Sequence, residues 1–220
     1  AVIQNVLEDY RAKITAAADV NAVEAVMKEA KAALAAAAVS PDEKYADLDR
    51  NAWYYDAVKF MITSGYMKGV SETRFDVEGT VTRDQLVTIL YRVAGNPSVK
   101  DLANPFADVK GSTWYTDAVI WAANSGAVKG ISDTLFAPGM TVTREQIVTI
   151  LYRYSGAEKD ETDHLKAFTD AGAISDYAVD PMNWAVGEGL INGVSTTTLA
   201  PQGAATRAQI SAVLLRYMAD

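Results

Sequence analysis

The chain has 220 residues, of which half are hydrophobic, carries a formal net charge of −8 and contains no cysteine. This length and apolar content allow a sizeable core, while the acidic balance argues against nucleic acid, whose phosphates are neutralised by Lys and Arg. The composition excludes a disulfide framework and a thiolate metal cluster, and no segment approaches the roughly 20 apolar residues of a membrane span.

The first 40 residues predict a helical hairpin that serves as a spacer. Apolar residues recur at helical spacing over 2–10 and 23–34, and Asp19 or Asn21 can cap the second helix. Pro41 ends the hairpin, because proline cannot continue a helix. The hairpin either packs on a neighbour or binds a partner. Because the chain starts at Ala1 without a basic segment, we expect a processed chain or an excised fragment rather than one with a signal peptide.

Three internal repeats follow the hairpin. The tetrapeptide Thr-Arg-x-Gln occurs three times, with its arginines 61 and then 63 positions apart. A unit of about 60 residues is marginal by itself, so we expect the three repeats to pack together. The predicted boundaries are 41–100 for repeat 1, 101–160 for repeat 2 and 161–220 for repeat 3. The polar segments 95–105 and 156–166 predict linkers.

Each repeat predicts two helices and no long strand, so the expected fold class is all-α. The first helix begins near 54, 115 or 180 and ends at a glycine suited to the left-handed conformation, namely Gly65, Gly126 or Gly189. The second helix begins at the Thr-Arg motif and carries apolar residues at i, i+3, i+4 and i+7. These three stripes could meet in a central bundle.

The Thr and Gln of each motif fit a capping box, but the arginine between them needs another explanation. It falls at the first helical position, where a cation is disfavoured by roughly 0.3–1 kcal/mol. One alternative is that the arginine pairs with a neighbour such as Asp84 or Glu145, or covers apolar surface. The other is that Arg83, Arg144 and Arg207, together with free helix-terminal amides, bind an external anion such as a carboxylate.

Three further residue types recur around the motif. An aspartate two positions after an aromatic residue is expected to cap or brace a loop. A tryptophan before the first helix either offers a flat face to a sugar ring or belongs to the core. A glycine after that helix either admits a ligand close to the backbone or forms a turn. The candidates are Asp47, Asp108 and Asp170, Trp53 and Trp114, and Gly69, Gly130 and Gly193.

Catalysis and cofactor binding are not expected from these residues. His164 is the single histidine and lies in a linker, so a Ser-His-Asp triad or a histidine-ligated metal site is not expected. Catalytic sites tend to be singular, whereas every notable feature here occurs three times. A third class, an assembly protein whose repeats bind other protein subunits, stays open.

The order of the motifs resembles the surface-layer homology (SLH) family. The pattern F/Y-x-D, W-x-x-x-A-V, G-x-x-x-G and T-R-x-E/Q occurs three times over about 45–218. This resemblance implies three helix-loop-helix motifs in a pseudo-threefold bundle, with grooves between neighbouring motifs. It also implies an extracellular position on the bacterial cell wall or in an S-layer.

The same resemblance implies a partner. Such triplets hold surface proteins on the cell wall without covalent bonds, commonly by binding a secondary cell-wall polysaccharide whose terminal sugar carries a pyruvate ketal. Peptidoglycan and neighbouring S-layer subunits are the alternative partners. The family's ligand-binding positions match the arginines, aspartates, tryptophans and glycines named above. We therefore expect exposed Arg83 and Arg144, whose replacement by Ala abolishes wall binding and leaves the fold intact.

Two departures from the family pattern bear on these expectations. Gln85, Gln146 and Gln209 replace the usual Glu, which keeps the capping box and deletes a charge. Repeat 3 has Tyr177 in place of Trp and an insertion near 171–176, so its groove is expected to be structural only. We expect weak binding per groove, strengthened by several grooves acting together.

Overall fold

The computed structural model describes residues 2–16, 20–38 and 40–219, with side chains described at 8–16, 22–31 and 40–219. The chain divides into two compact units, Ala1–Asp76 and Val77–Asp220. Over the described residues the secondary structure is helical, and β pairing is confined to isolated bridges. The expected all-α fold class is confirmed.

The first unit contains the N-terminal hairpin and the first helix of repeat 1. Helices α1 (Val2–Thr15) and α2 (Val20–Ala38) pack against each other, as predicted. Since α2 begins at Val20, Asn21 lies within the helix and is not its cap, and Asp19 lies outside the described residues. A short helix, α3 (Pro41–Lys44), precedes α4 (Tyr55–Thr63) and was not predicted.

The second unit contains five α-helices in its described residues. They are α5 (Arg83–Val93), α6 (Thr116–Asn124), α7 (Arg144–Ser155), α8 (Val179–Gly187) and α9 (Arg207–Tyr217). Three 3-10 turns, Leu165–Ala167, Ala171–Ala173 and Asp176–Ala178, precede α8. The helix that ends one repeat packs against the helix that begins the next, α5 on α6 and α7 on α8.

The predicted helix starts and stops agree with the structure. Gly65, Gly126 and Gly189 each follow a first helix with φ of +75°, +79° and +68°. At each second helix the glutamine side chain accepts a hydrogen bond from the threonine amide, at 3.2–3.3 Å. Such a reciprocal cap satisfies amides that the first turn leaves unpaired.

The apolar stripes of the second helices lie in the core. The first three members of each stripe are at most 5% exposed, and the fourth is half-buried. These members are Leu86, Ile89, Leu90 and Val93; Ile147, Ile150, Leu151 and Tyr154; and Ile210, Val213, Leu214 and Tyr217. The helical periodicity therefore predicted the buried faces correctly.

A closed ring of backbone hydrogen bonds joins the segments that precede the three second helices. The amide of Val81 donates to Ala205 O at 3.1 Å, that of Ala205 to Val142 O at 3.1 Å, and that of Val142 to Val81 O at 2.9 Å. Each segment thus donates to one neighbour and accepts from the other. A pseudo-threefold arrangement of complete repeats, and the repeat boundaries, stay predictions.

Candidate ligand-binding groove

The arginines of the Thr-Arg-x-Gln motifs are buried. The exposed fractions of Arg83, Arg144 and Arg207 are 7%, 6% and 7%. The expectation of exposed arginines is therefore wrong for Arg83 and Arg144. The reason is that a loop of the following repeat covers the start of each of these two helices, which the spacing within one repeat does not reveal.

The side chains of Arg83 and Arg144 hold the loop of the next repeat. Arg83 Nε donates to Phe136 O at 2.8 Å and its Nη2 to Lys129 O at 2.9 Å. Arg144 repeats the arrangement with Leu199 O at 2.8 Å and Asn192 O at 2.6 Å. Hydrogen bonds from a charged donor are stronger than neutral ones, so each arginine stabilises a contact between consecutive repeats.

The acidic neighbours of these arginines have other partners. Asp84 accepts hydrogen bonds from Thr82 Oγ1 and from the amide of Gln85, within its own helix turn. Glu145 accepts from Ser175, Tyr177 and Gln202 of repeat 3. The alternative in which each motif arginine pairs with the acidic residue beside it is therefore wrong.

The first amides of the second helices are also occupied. The amide of Arg83 donates to Met140 O at 2.9 Å and that of Asp84 to Pro138 O at 3.1 Å. Equivalent bonds are made at the start of α7 and α9. The expected anion site built from free helix-terminal amides is wrong, because carbonyls of a neighbouring loop use those donors.

The repeated aspartates brace this same loop. Asp108 accepts hydrogen bonds from the amides of Phe136 and Ala137 at 2.8 and 2.7 Å, and Ala137 has a positive φ of 58°. Asp47 and Asp170 make the same pair of bonds in repeats 1 and 3. The expected bracing role is confirmed, while contact with a ligand stays a prediction.

Both braces of the second unit have perturbed acidities. Burial alone would raise the pKa of Asp108, but the amides of Phe136 and Ala137 hold it below its ordinary value. The amide of Leu199 likewise lowers the pKa of Asp170, against a smaller opposing effect of burial. Hydrogen bonding to the charged form favours ionisation, so the loops are held by carboxylates at neutral pH.

The repeated glycines are explained by the turn. A Cβ on Gly130 would lie 2.2 Å from Ser132 O and 2.7 Å from the Phe106 ring. Gly69 and Gly193 would meet equivalent carbonyls at 2.8 and 2.2 Å. The loop itself therefore requires glycine, and a ligand is not needed to account for it.

The two tryptophans are exposed, so the alternative that places them in the core is wrong. Trp53 is 65% and Trp114 62% exposed, and each packs its edge against the tyrosine that follows it. Tyr177, at the matching position of repeat 3, is 49% exposed. Exposed aromatic rings are available to stack on a sugar or another apolar surface.

A groove of about 440 Å³ lies within the second unit. Its basic residues are Arg83, Lys129 and Arg153, and the Tyr177 ring also lines it. The aliphatic lining residues are Val128, Ile131 and Ile150. None of its ten lining residues is acidic. The groove thus combines a local positive charge with an apolar surface, on a protein whose net charge is negative.

Arg153 is the groove residue that the sequence interpretation missed. It is half-buried, and within the described part of the chain its guanidinium has no hydrogen-bond partner. A signal was present, because Arg92, Arg153 and Arg216 each stand nine positions after a motif arginine. On an amphipathic helix such a repeat is typical of a solvated face, so the motif alone did not single it out.

Burial lowers the pKa of both groove arginines. For Arg83, Tyr177 and Asp108 oppose this effect and the nearby Arg153 adds to it, while for Arg153 the Tyr177 phenol opposes it. Because a guanidinium stays protonated in proteins, both remain cations at neutral pH. Two partly desolvated cations in one groove favour the entry of an anion.

The described residues show neither a candidate metal site nor a membrane helix. No group of three or more His, Cys, Asp and Glu side chains among them could hold a metal ion. No helix there is both long and apolar enough to cross a bilayer. His164 hydrogen-bonds Asp160 at 2.8 Å in the linker and is not among the residues that line the groove.

The family model for the S-layer homology domain matches three segments of the chain, 44–87, 105–148 and 167–210. The chain belongs to the S-layer homology family. Each matched segment begins near the bracing aspartate and ends within the helix that carries the motif arginine. The matched segments contain the arginines and loops of the inter-repeat contacts and most of the groove lining, whereas Thr149, Ile150 and Arg153 lie just beyond the second segment.

Relatives with different names share these S-layer homology motifs. An amylopullulanase from Thermoanaerobacterium thermosulfurigenes is 28% identical over 81% of this chain and 10% of the relative. A surface-layer 125 kDa protein from Lysinibacillus sphaericus is 29% identical over 85% of the chain and 16% of the relative. A cellulosome-anchoring protein from Acetivibrio thermocellus is 26% identical over 70% and 35%. The chain thus spans a minor part of each of these relatives.

Proposed function

We propose that this chain anchors a larger protein to the outside of a bacterial cell wall without a covalent bond. The ligand is a secondary cell-wall polysaccharide, and the recognised group is a pyruvate ketal on its terminal sugar. The observation that carries this proposal is the groove with three basic residues and no acidic one. The planar fork of Arg153 suits a carboxylate, which can accept two hydrogen bonds from it, while Arg83 adds positive charge to the groove.

The replacement of glutamate by glutamine supports an anionic ligand. Gln146 lines the groove, and its side-chain oxygen already accepts the amide of Thr143 at 3.2 Å. A glutamate at this position would add a negative charge beside Arg83 and Arg153. The glutamine keeps the helix cap and leaves the groove positively charged.

The aliphatic residues support a ligand that is both charged and apolar. A pyruvate ketal carries a carboxylate and a methyl group on one carbon. Arg153 suits the carboxylate, while Ile131 and Ile150 offer contacts for the methyl group. A phosphate would satisfy the arginines equally well but would leave the aliphatic contacts unused.

The comparisons support attachment rather than catalysis. The matched part is shared by an amylopullulanase, a surface-layer protein and a cellulosome-anchoring protein, and is a small fraction of each. A module common to proteins with such different names is better explained by a shared location than by a shared reaction. Weak binding at each groove would gain strength when several grooves or many copies act together.

Co-sedimentation with bacterial wall sacculi tests the proposal. The purified full chain is mixed with sacculi before and after acid removal of the secondary polymer, and the bound fraction is measured. We expect binding to native sacculi and its loss after stripping. Inhibition by a soluble monosaccharide pyruvate ketal, and not by its methyl ester, would support carboxylate recognition.

Two results would contradict the proposal. Binding that survives stripping would indicate peptidoglycan as the ligand. Concentration-dependent self-association without binding to either preparation would indicate an S-layer assembly module. Because the methyl ester keeps the ketal and lacks the carboxylate charge, equal inhibition by both compounds would contradict recognition of the carboxylate by the arginines.

A further inference from the structure

Glu145 is a buried carboxylate whose partners all belong to the following repeat. It occupies the third position of the repeat 2 motif and is 1% exposed. Its Oε2 accepts from the amide of Ser175 at 3.0 Å, and its Oε1 accepts from Ser175 Oγ at 2.8 Å. The hydroxyl of Tyr177 and Nε2 of Gln202 donate to Oε1, each at 2.9 Å. All these donors are neutral.

This network controls one wall of the groove. A buried carboxylate is costly unless several donors satisfy it, so its presence indicates that the arrangement it holds is favourable. The arrangement ties the phenol end of Tyr177, while the ring of the same residue lines the groove beside Arg153. This hydrogen bond restricts the orientations that the ring of Tyr177 can take.

The features of this network occur together at one pair of repeats. Repeat 1 has Asp84 at the motif position and repeat 3 has Ala208, whereas only repeat 2 has glutamate. The insertion near 171–176, which supplies Ser175, and the tyrosine that replaces tryptophan both lie in repeat 3, against Glu145. Without Ser175 and Tyr177, the carboxylate of Glu145 would lose three of its four hydrogen bonds, and without Glu145 their side chains would lose this acceptor.

We propose that Glu145 is a positioning residue that fixes the Tyr177 ring as a wall of the groove and thereby sets how tightly the groove holds its sugar. This inference rests on the proposed function of the groove. Glu145 does not touch the ligand and acts only through Tyr177. A restrained tyrosine ring loses less conformational entropy than a free tryptophan ring when a sugar of matching shape binds. The restrained ring also adapts less to sugars of other shapes, so the groove is more specific.

The test uses the full chain and two measurements. The first is the affinity for the pyruvate ketal of methyl glucoside, measured by calorimetry. The second is the NMR signal of the Tyr177 ring carbon in protein labelled at tyrosine, assigned with Tyr177→Phe. The variants are Glu145→Ala, Glu145→Gln, Tyr177→Phe and the Glu145→Ala/Tyr177→Phe double variant. Asp84→Asn is the matched control, since its carboxylate bonds, among the residues that the structure describes, only within its own turn.

We expect Glu145→Ala and Tyr177→Phe each to weaken binding about tenfold, as for loss of a hydrogen bond to a charged group. The double variant should bind no more weakly than either single variant, because both remove the same interaction. Glu145→Gln should broaden or shift the Tyr177 signal, while Asp84→Asn leaves it unchanged. Tyr177→Phe keeps the other three bonds of Glu145, so it remains informative if Glu145→Ala does not fold.

Additive losses in the double variant, or an unchanged Tyr177 signal in both Glu145 variants, would overturn the inference. Failure of the proposed function gives a different result. If the wild-type chain does not bind the ketal, the proposed ligand is wrong, and the Tyr177 signal alone decides whether Glu145 positions the ring. A signal that moves in Glu145→Gln but not in Asp84→Asn upholds the positioning role.

Discussion

Arg83 and Arg153 line the same groove but differ in burial and in hydrogen bonding. Arg83 is 7% exposed, and its Nε and Nη2 donate to two carbonyls of the repeat 2 loop. Arg153 is half-buried and, among the described residues, has no hydrogen-bond partner. The difference shows that Arg83, the motif arginine, mainly stabilises the fold. Arg153, which lies outside the motif, retains its hydrogen-bond donors for a ligand.

The largest effect on stability is expected from replacing Arg144, a motif arginine that stabilises the fold and does not line the groove. Arg144→Ala leaves the buried Leu199 O and the partly buried Asn192 O without their charged donor. We expect the free energy of unfolding, measured in urea, to fall by about 3 kcal/mol or more. Arg144→Lys should lose less, because one ammonium can still reach one carbonyl. A variant within about 0.5 kcal/mol of wild type would contradict the structural role.

Gly130→Ala tests whether the loop held by Arg83 tolerates a side chain. The new Cβ would lie 2.2 Å from Ser132 O, so the loop must shift, and we expect a loss of about 1–3 kcal/mol in urea unfolding. Gly111→Ala is the matched control, since nothing lies within 4 Å of its Cβ. Equal stabilities of the two variants would show that the tight turn is not the reason for glycine.

Acid sensitivity distinguishes the carboxylate braces from the arginines. The pKa of Asp170 is lowered in the folded chain, so its stabilising effect is complete above its ordinary pKa of about 4 and is lost as pH falls through the folded value. We expect the difference in Tm between wild type and Asp170→Asn to be constant above about pH 5 and to shrink in more acidic solution. A difference that grows on acidification would have the wrong sign.

Replacement of Arg153 is expected to have the smallest effect on stability and the largest effect on binding. Arg153→Ala should change the free energy of unfolding by less than about 0.5 kcal/mol and weaken binding to sacculi at least tenfold. Arg153→Lys should retain part of the affinity. Lys100→Gln removes an exposed charge elsewhere and should bind as wild type. If Arg153→Ala sediments with sacculi as wild type does, the groove is not the site.

The sequence predicted the helices well because their signals are local. A capping box and a glycine after the helix act within about one turn and an apolar stripe within about two, and all three were found at the expected residues. The short helix Pro41–Lys44 was missed despite Ser40 and Glu43, which form a capping box at its start. A single turn has too few apolar positions to show a period.

The site was predicted less well because its geometry depends on contacts between repeats. Nothing within repeat 1 indicates that carbonyls of repeat 2 cover Arg83, and so its burial was not expected. The exposure of Trp53 and Trp114 was likewise left open, since a large aromatic residue at a helix start suits a core or a surface equally. The bracing aspartates were predicted correctly, because their partners lie within the same repeat.

The ring formed by Val81, Ala205 and Val142 sets this array apart from an open stack of repeats. In an open stack a unit can be added or lost at either end, and the terminal units must be capped. Among the three segments that pair here, a closed circuit of three donors and three acceptors leaves no terminal segment. The number of segments in the ring is therefore fixed at three, and each segment pairs with its two neighbours in the same way.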